Sequence, residues 1–87
     1  MTNGRKLKMN NLSKEKISMI ISRLLEKDIT KFSYNANLQN EFGMDSIILI
    51  ELIVELETVF DIEIRDEDLL LENFENINSI YSTLLSY

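Results

Sequence analysis

From Ser46 to Phe60 the chain runs without glycine or proline and is built almost wholly from Ile, Leu, Val and Glu. At about 100° per residue, a helix over this stretch gathers Leu49, Leu52, Ile53, Leu56, Val59 and Phe60 on one broad face. That face is expected to be core. A second aliphatic stripe, Ile47, Ile50 and Val54, runs along the opposite side, with Ser46 at its top and Glu51, Glu55 and Glu57 at its borders. This stripe is expected to stand in water, where contiguous apolar patches usually mark contact sites. Gly43 and the polar run before it break the chain, so Asp45-Ser46 opens the helix. Ser46 reads as its cap, the hydroxyl oxygen accepting from an amide two or three residues on. A phosphate on that hydroxyl would lie at the positive end of the helix dipole.

The rest of the chain supplies partners for the apolar face. At 87 residues it is one small domain. Residues 1–11 are polar, basic and aperiodic and read as a disordered lead-in, with the folded domain over 12–87. Ser13 opens a first helix in which Ile17, Ile20, Ile21, Leu24 and Leu25 share a face, ending near Lys27. Asp28 to Asn40, with Ile29, Phe32, Tyr34 and Leu38 scattered among polar residues, reads as a long loop that packs a few apolar side chains. Asp61 to Ile64 alternates like a strand, but a single strand of that length has nothing to pair with, so it is expected to be a connector burying Ile62 and Ile64. Asp66, Glu67 and Asp68 offer caps and first-turn acids for a short third helix to about Leu71. Asn73 or Asn76 caps a last helix carrying Ile77, Ile80, Tyr81, Leu84 and Leu85. The predicted fold is all-α, a small four-helix bundle with a short third helix.

Composition narrows the chemistry. There is no cysteine and no histidine, which removes thiolate metal sites, disulfides and the usual general base. A metal site is not expected, and Asp66, Glu67 and Asp68 read as helix-start acids before they read as a cation site. No apolar run approaches the roughly 18 residues of a membrane span, and the basic N-terminus leads into no secretory pattern, so a cytoplasmic protein is expected. Charge is segregated: Met1 to Lys31 holds eight Lys or Arg and three acids, Phe32 to Tyr87 holds Arg65 against twelve acids, giving +5 and −11 within the total of −6. Such a surface repels nucleic acid and attracts basic patches on proteins.

Gly43-Met44-Asp45-Ser46-Ile47, then Glu51-Leu52, Leu56-Glu57, Phe60, Ile62, Ile64 and Asp66-Glu67-Asp68, resemble the acyl carrier proteins. That family's order is Gly-x-Asp-Ser-Leu, Glu-Leu, Leu-Glu, Phe and Ile-Pro-Asp-Glu. The match runs over roughly residues 13 to 86, and its ordered spacing is far more specific than the tetrapeptide around Ser46.

The resemblance implies a covalent 4'-phosphopantetheine on Ser46, placed there by a phosphopantetheinyl transferase that Asp45 helps to recognise. It also implies docking by Ile47, Ile50 and Val54 into shallow pockets of loading, condensing or tailoring enzymes, with Glu51 and Glu57 meeting their Lys or Arg. No catalytic residue is required, and a monomer is expected. Read without the resemblance, Ser46 is a plain cap, Asp45 a first-turn charge, and the stripe a self-association patch. Ile48 and Thr58 stand where fatty-acid carriers often have acids, which leans toward a dedicated partner set. Asn73-Phe74 replaces a common Thr-Val in a segment one residue shorter, implying a different cavity there. The family pattern puts proline at Arg65, so a looser start to the third helix is expected. The leading expectation is a stand-alone acyl carrier of a polyketide, fatty-acid or related pathway. A discrete aminoacyl or peptidyl carrier of a nonribosomal pathway, and an unmodified helical adaptor, are the alternatives.

Overall fold

Ser13 caps the first helix, α1 (Lys14–Leu25), by accepting from the Lys16 amide at 3.0 Å. The computed structural model describes residues 12–87, so the lead-in expected over 1–11 lies outside the described residues. Ile17, Ile20 and Ile21 are buried along α1, as their spacing requires. Ser18 lies among them, and its hydroxyl donates to the Glu15 carbonyl at 2.8 Å, so the buried polar atom is satisfied. The helix stops at Leu25 and not near Lys27, because Glu26 turns into the left-handed region at φ 57°.

The stretch Asp28 to Asn40, expected to be loop throughout, contains the start of a short helix, α2 (Leu38–Phe42). Asn37 caps it through a 2.8 Å bond from the Asn40 amide, and Gly43 ends it at φ 71°. Five residues show no periodicity, but the Asn and Gly that bracket them are ordinary helix boundary signals. Ahead of α2, Ile29 is buried, and its amide donates to Ser22 Oγ at 3.0 Å. Asp28 accepts from the Thr30 hydroxyl and amide, which hold its carboxyl below the ordinary value. Backbone bonds from Asn78 to Tyr34 O (3.1 Å) and from Leu38 to Glu75 O (2.8 Å) tie the loop and α2 to the last part of the chain.

The long stretch forms α3 (Ser46–Phe60), as predicted, with Leu52, Leu56 and Phe60 buried and Leu49, Ile53 and Val59 half-buried beside them. Its N-terminal cap is Asp45, not Ser46: Asp45 Oδ1 accepts from the Ile48 amide at 2.9 Å. Past Phe60, Glu57 organises the connector by taking the Ile62 amide on its carbonyl (3.0 Å) and the Ile64 amide on Oε2 (2.9 Å). Ile64 is buried and Ile62 half-buried, as expected.

The predicted short third helix is instead two 3₁₀ turns, Asp66–Asp68 and Leu71–Phe74. Arg65 precedes the first, and none of the three acids supplies a cap bond. An isolated helical turn gains little from its own backbone, so tertiary anchoring decides the shape. Only the second turn buries a side chain, Phe74, while Asn73 Nδ2 donates to Asp68 O at 2.8 Å and joins the two. Asn76 then caps α4 (Ile77–Leu84) through the Ser79 amide at 2.7 Å.

Arg65 does not loosen the start of this segment. Its φ of −67° is the angle a proline ring would impose. The N–H that proline lacks donates to the Tyr87 hydroxyl at 2.7 Å, and that hydroxyl donates to Asp68 Oδ2 at 2.6 Å. The Arg65 guanidinium lies 4.2 Å from the Tyr87 ring centre and bonds Asp68 and Ser86.

The described residues are thus helical, with α1 packed against both α3 and α4. Ile29, Leu38, Phe42, Met44, Ile64 and Phe74 complete the core from between the three longer helices.

The two faces of α3 are expected to respond differently to truncation. Leu56→Ala should cost about 2–5 kcal/mol in urea denaturation, whereas Val54→Ala should stay within about 0.5 kcal/mol. Burial, and then the bond to the Asp68 carboxylate, hold the Tyr87 phenol above its ordinary pKa. A raised phenol contributes stability that is complete below the unfolded value near 10 and is lost as pH climbs through the folded value. Tyr87→Phe should therefore cost about 1 kcal/mol at pH 7, with the gap to the unaltered protein narrowing above about pH 10. A gap that stayed constant through that range would show that the phenol hydroxyl is not responsible.

Candidate functional site

The turn between α2 and α3 is built from both sides. Leu38 and Phe42 anchor α2 in the core, and the Leu38 carbonyl accepts both the Gly43 amide and the Met44 amide, the latter at 3.2 Å. Gly43 takes the left-handed conformation there, which a residue without Cβ adopts freely. Met44 then turns inward and is 3 % exposed. No periodicity around Met44 signals this burial. Gln39 lies alongside, its Nε2 donating to Phe74 O at 3.3 Å and approaching Met44 Sδ at 3.8 Å. A single glutamine outside any motif carries no signature either.

Asp45 is extended, at φ −100° and ψ −176°, and spends one carboxylate oxygen on the Ile48 amide and its carbonyl on the Leu49 amide at 2.9 Å. Ser46 is therefore the first residue of α3. Its side chain is exposed, and no side-chain hydrogen bond holds it among the described residues. The Ser46 and Ile47 amides, the first two of the helix, likewise have no partner among the described residues. This is a fit for a phosphoryl group: an accessible hydroxyl, two unspent N–H donors and the positive end of a long helix.

Below Ser46, the predicted stripe stands in water, with Ile47 68 %, Ile50 61 % and Val54 55 % exposed. From Ser46 to Val54 the rise along the axis is about 12 Å. Glu51 is exposed beside this stripe. Glu55 reaches the other way and pairs with Arg23 at 2.6 Å, joining α3 to α1. Glu57 is half-buried, with one oxygen committed to the Ile64 amide. The structure thus sets Asp45, Ser46, Ile47, Ile50, Glu51 and Val54 along exposed positions of α3 and its cap, and turns Glu57 toward the connector.

A feature not anticipated is the exposed run Leu69-Leu70-Leu71, which leads from the first 3₁₀ turn into the second. Asp68 is engaged by Arg65 and Tyr87, and no group of three or more metal-ligating side chains gathers among the described residues. No helix among the described residues is long and apolar enough to cross a membrane.

Comparison with known proteins agrees with this geometry. The family model described as a phosphopantetheine attachment site matches residues 15–84. An acyl carrier protein of Buchnera aphidicola subsp. Schizaphis graminum is 38 % identical over 76 residues, covering 87 % of this chain and 89 % of the relative. No solved structure matches the chain significantly. A serine-bearing helix start, an exposed aliphatic stripe and a family match over most of the sequence lead to one conclusion: the chain belongs to the acyl carrier protein family, whose prosthetic group is 4'-phosphopantetheine.

Proposed function

We propose that Ser46 carries the phosphopantetheine arm and that the chain works as a cytoplasmic acyl carrier in a fatty-acid, polyketide or related pathway. The observation that carries this reading is the uncommitted Ser46 hydroxyl at the start of α3, beside a stripe of exposed aliphatic side chains. The arm supplies a terminal thiol, which the chain lacks, to hold acyl groups as thioesters. What the chain's own residues contribute is positioning. Asp45 fixes the helix start and leaves the neighbouring hydroxyl free, while offering its second carboxylate oxygen to a phosphopantetheinyl transferase. Ile47, Ile50 and Val54 offer apolar contact to loading and condensing enzymes. Tethering a reacting group beside such a surface replaces a bimolecular encounter with a local one.

Glu51 is the docking charge with most freedom to meet a partner's Lys or Arg. Glu57 can offer only the oxygen not bound to Ile64, so its docking role is combined with a structural one. An exposed carboxylate contributes about 0–1 kcal/mol to any one pair, and its larger effect is on steering and association rate. The acid directly before Ser46 and the relationship to an acyl carrier favour acyl over aminoacyl cargo.

Incubation with coenzyme A, Mg and a broad-specificity transferase should add one phosphopantetheinyl group, mapped by mass spectrometry to the peptide containing Ser46. Ser46→Ala should show no addition while keeping its helical circular dichroism, since Asp45 and not Ser46 caps the helix. Glu51→Lys should slow acyl transfer to partner enzymes and reduce its salt dependence without changing the urea midpoint. A parallel loss of stability and transfer would instead make Glu51 structural.

A further inference from the structure

We propose that Gln39 is a positioning residue for the attachment serine, locking the Met44-Asp45-Ser46 turn to the second 3₁₀ turn. This rests on Ser46 being the attachment residue. Phe74 ends that 3₁₀ turn, and in a continuing α-helix its carbonyl would receive the Asn78 amide. Here that amide is spent on Tyr34 O at 3.1 Å. Gln39 supplies the missing donor from another part of the chain, through Nε2 to Phe74 O at 3.3 Å, at a half-buried position.

The same nitrogen lies 3.8 Å from the sulfur of Met44, the buried side chain that fixes the turn two residues before Ser46. One residue earlier, Leu38 makes a matching pair of main-chain links: its amide to Glu75 O at 2.8 Å and its carbonyl from Met44 N at 3.2 Å. Two consecutive residues of α2 therefore connect the same two segments, one through backbone and one through side chain. Met44 and Phe74 are both core residues, and the Gln39 amide nitrogen reaches both, so the two are tied through it. The placement of Ser46 is in this way set jointly with that of the segment bearing Leu69, Leu70 and Leu71.

In the transfer step, Ser46 Oγ bonds to the phosphorus that bears the pantetheine. The anhydride bond to adenosine 3',5'-bisphosphate breaks, and the hydroxyl proton passes to a base of the transferase. In-line displacement is sensitive to the position of the attacking oxygen, and the polypeptide turn carrying that oxygen is what Gln39 holds.

The test is steady-state kinetics of the transferase with the full chain as its protein substrate. Gln39→Met and Gln39→Glu remove the donor while keeping side-chain length, and Gln39→Lys keeps a donor. Both donor-free variants should lower kcat about fivefold, the equivalent of one lost hydrogen bond, with KM unchanged. Gln39→Lys should retain most of the rate. A merely structural role gives a different signature, because an unfolded fraction lowers the usable substrate concentration, raising apparent KM while leaving kcat at saturation intact. An unchanged kcat in both donor-free variants overturns the proposal, as does an equal loss in Gln39→Lys. Absence of modification at Ser46 in the unaltered protein would overturn the carrier reading itself, and the role of Gln39 with it.

Discussion

The first turn of α3 has amides with no partner inside the helix, and the Asp45 carboxylate takes the third of them. Losing such a cap costs on the order of 1 kcal/mol, yet its larger effect is on what it leaves undone next door. With the cap bond made by Asp45, the Ser46 hydroxyl and the two preceding amide donors are left for something outside the chain. A helix start that is complete without its serine can have that serine altered without being undone. The negative carboxylate, already held by an amide, also sits favourably against the helix dipole.

That turn is steady because what precedes it is core. Phe42 and Met44 are buried on either side of Gly43, and Leu38 is buried four residues earlier. The Leu38 amide and the side chain of Gln39 then fasten α2 to Glu75 and Phe74 at the end of the second 3₁₀ turn. On the far side of α3 the same principle holds with different chemistry. Arg65, Asp68, Ser86 and Tyr87 fix the chain beyond the connector by charge-assisted bonds and a ring contact. These groups, Asp68 and Tyr87 half-buried among them, act together where a lone surface ion pair would add little.

The three longer helices were legible from spacing alone, since Ile17, Ile20 and Ile21, then Leu52, Leu56 and Phe60, then Ile77, Ile80 and Leu84, repeat at helical intervals and are all buried. The exposed stripe of Ile47, Ile50 and Val54 was legible for the same reason, by projection to the opposite side. What escaped was shorter than a periodicity. The five residues of α2 and the two 3₁₀ turns are shaped by anchors elsewhere, Phe42 and Phe74 in the core and Asn37 at a cap. Asp45 and Ser46 are both good capping residues by type. Which of them caps is decided by the backbone: Asp45 is extended and Ser46 already helical. Gln39 had no legible role, because its partner is a carbonyl thirty-five positions away.

The burial of Ile29, Leu38, Phe42, Met44, Ile64 and Phe74 reverses the usual division of labour between helices and the segments joining them. Connecting segments ordinarily accept insertions and length changes because little of them is packed. In this chain, lengthening the stretch around Met44 or Ile64 would pull an anchor out of the interior. The outward side of α3, although it belongs to the longest regular element, makes no such demand on the fold. Variation within the architecture is therefore channelled onto the surface proposed to meet other proteins, where partner preference could drift while the scaffold stays still.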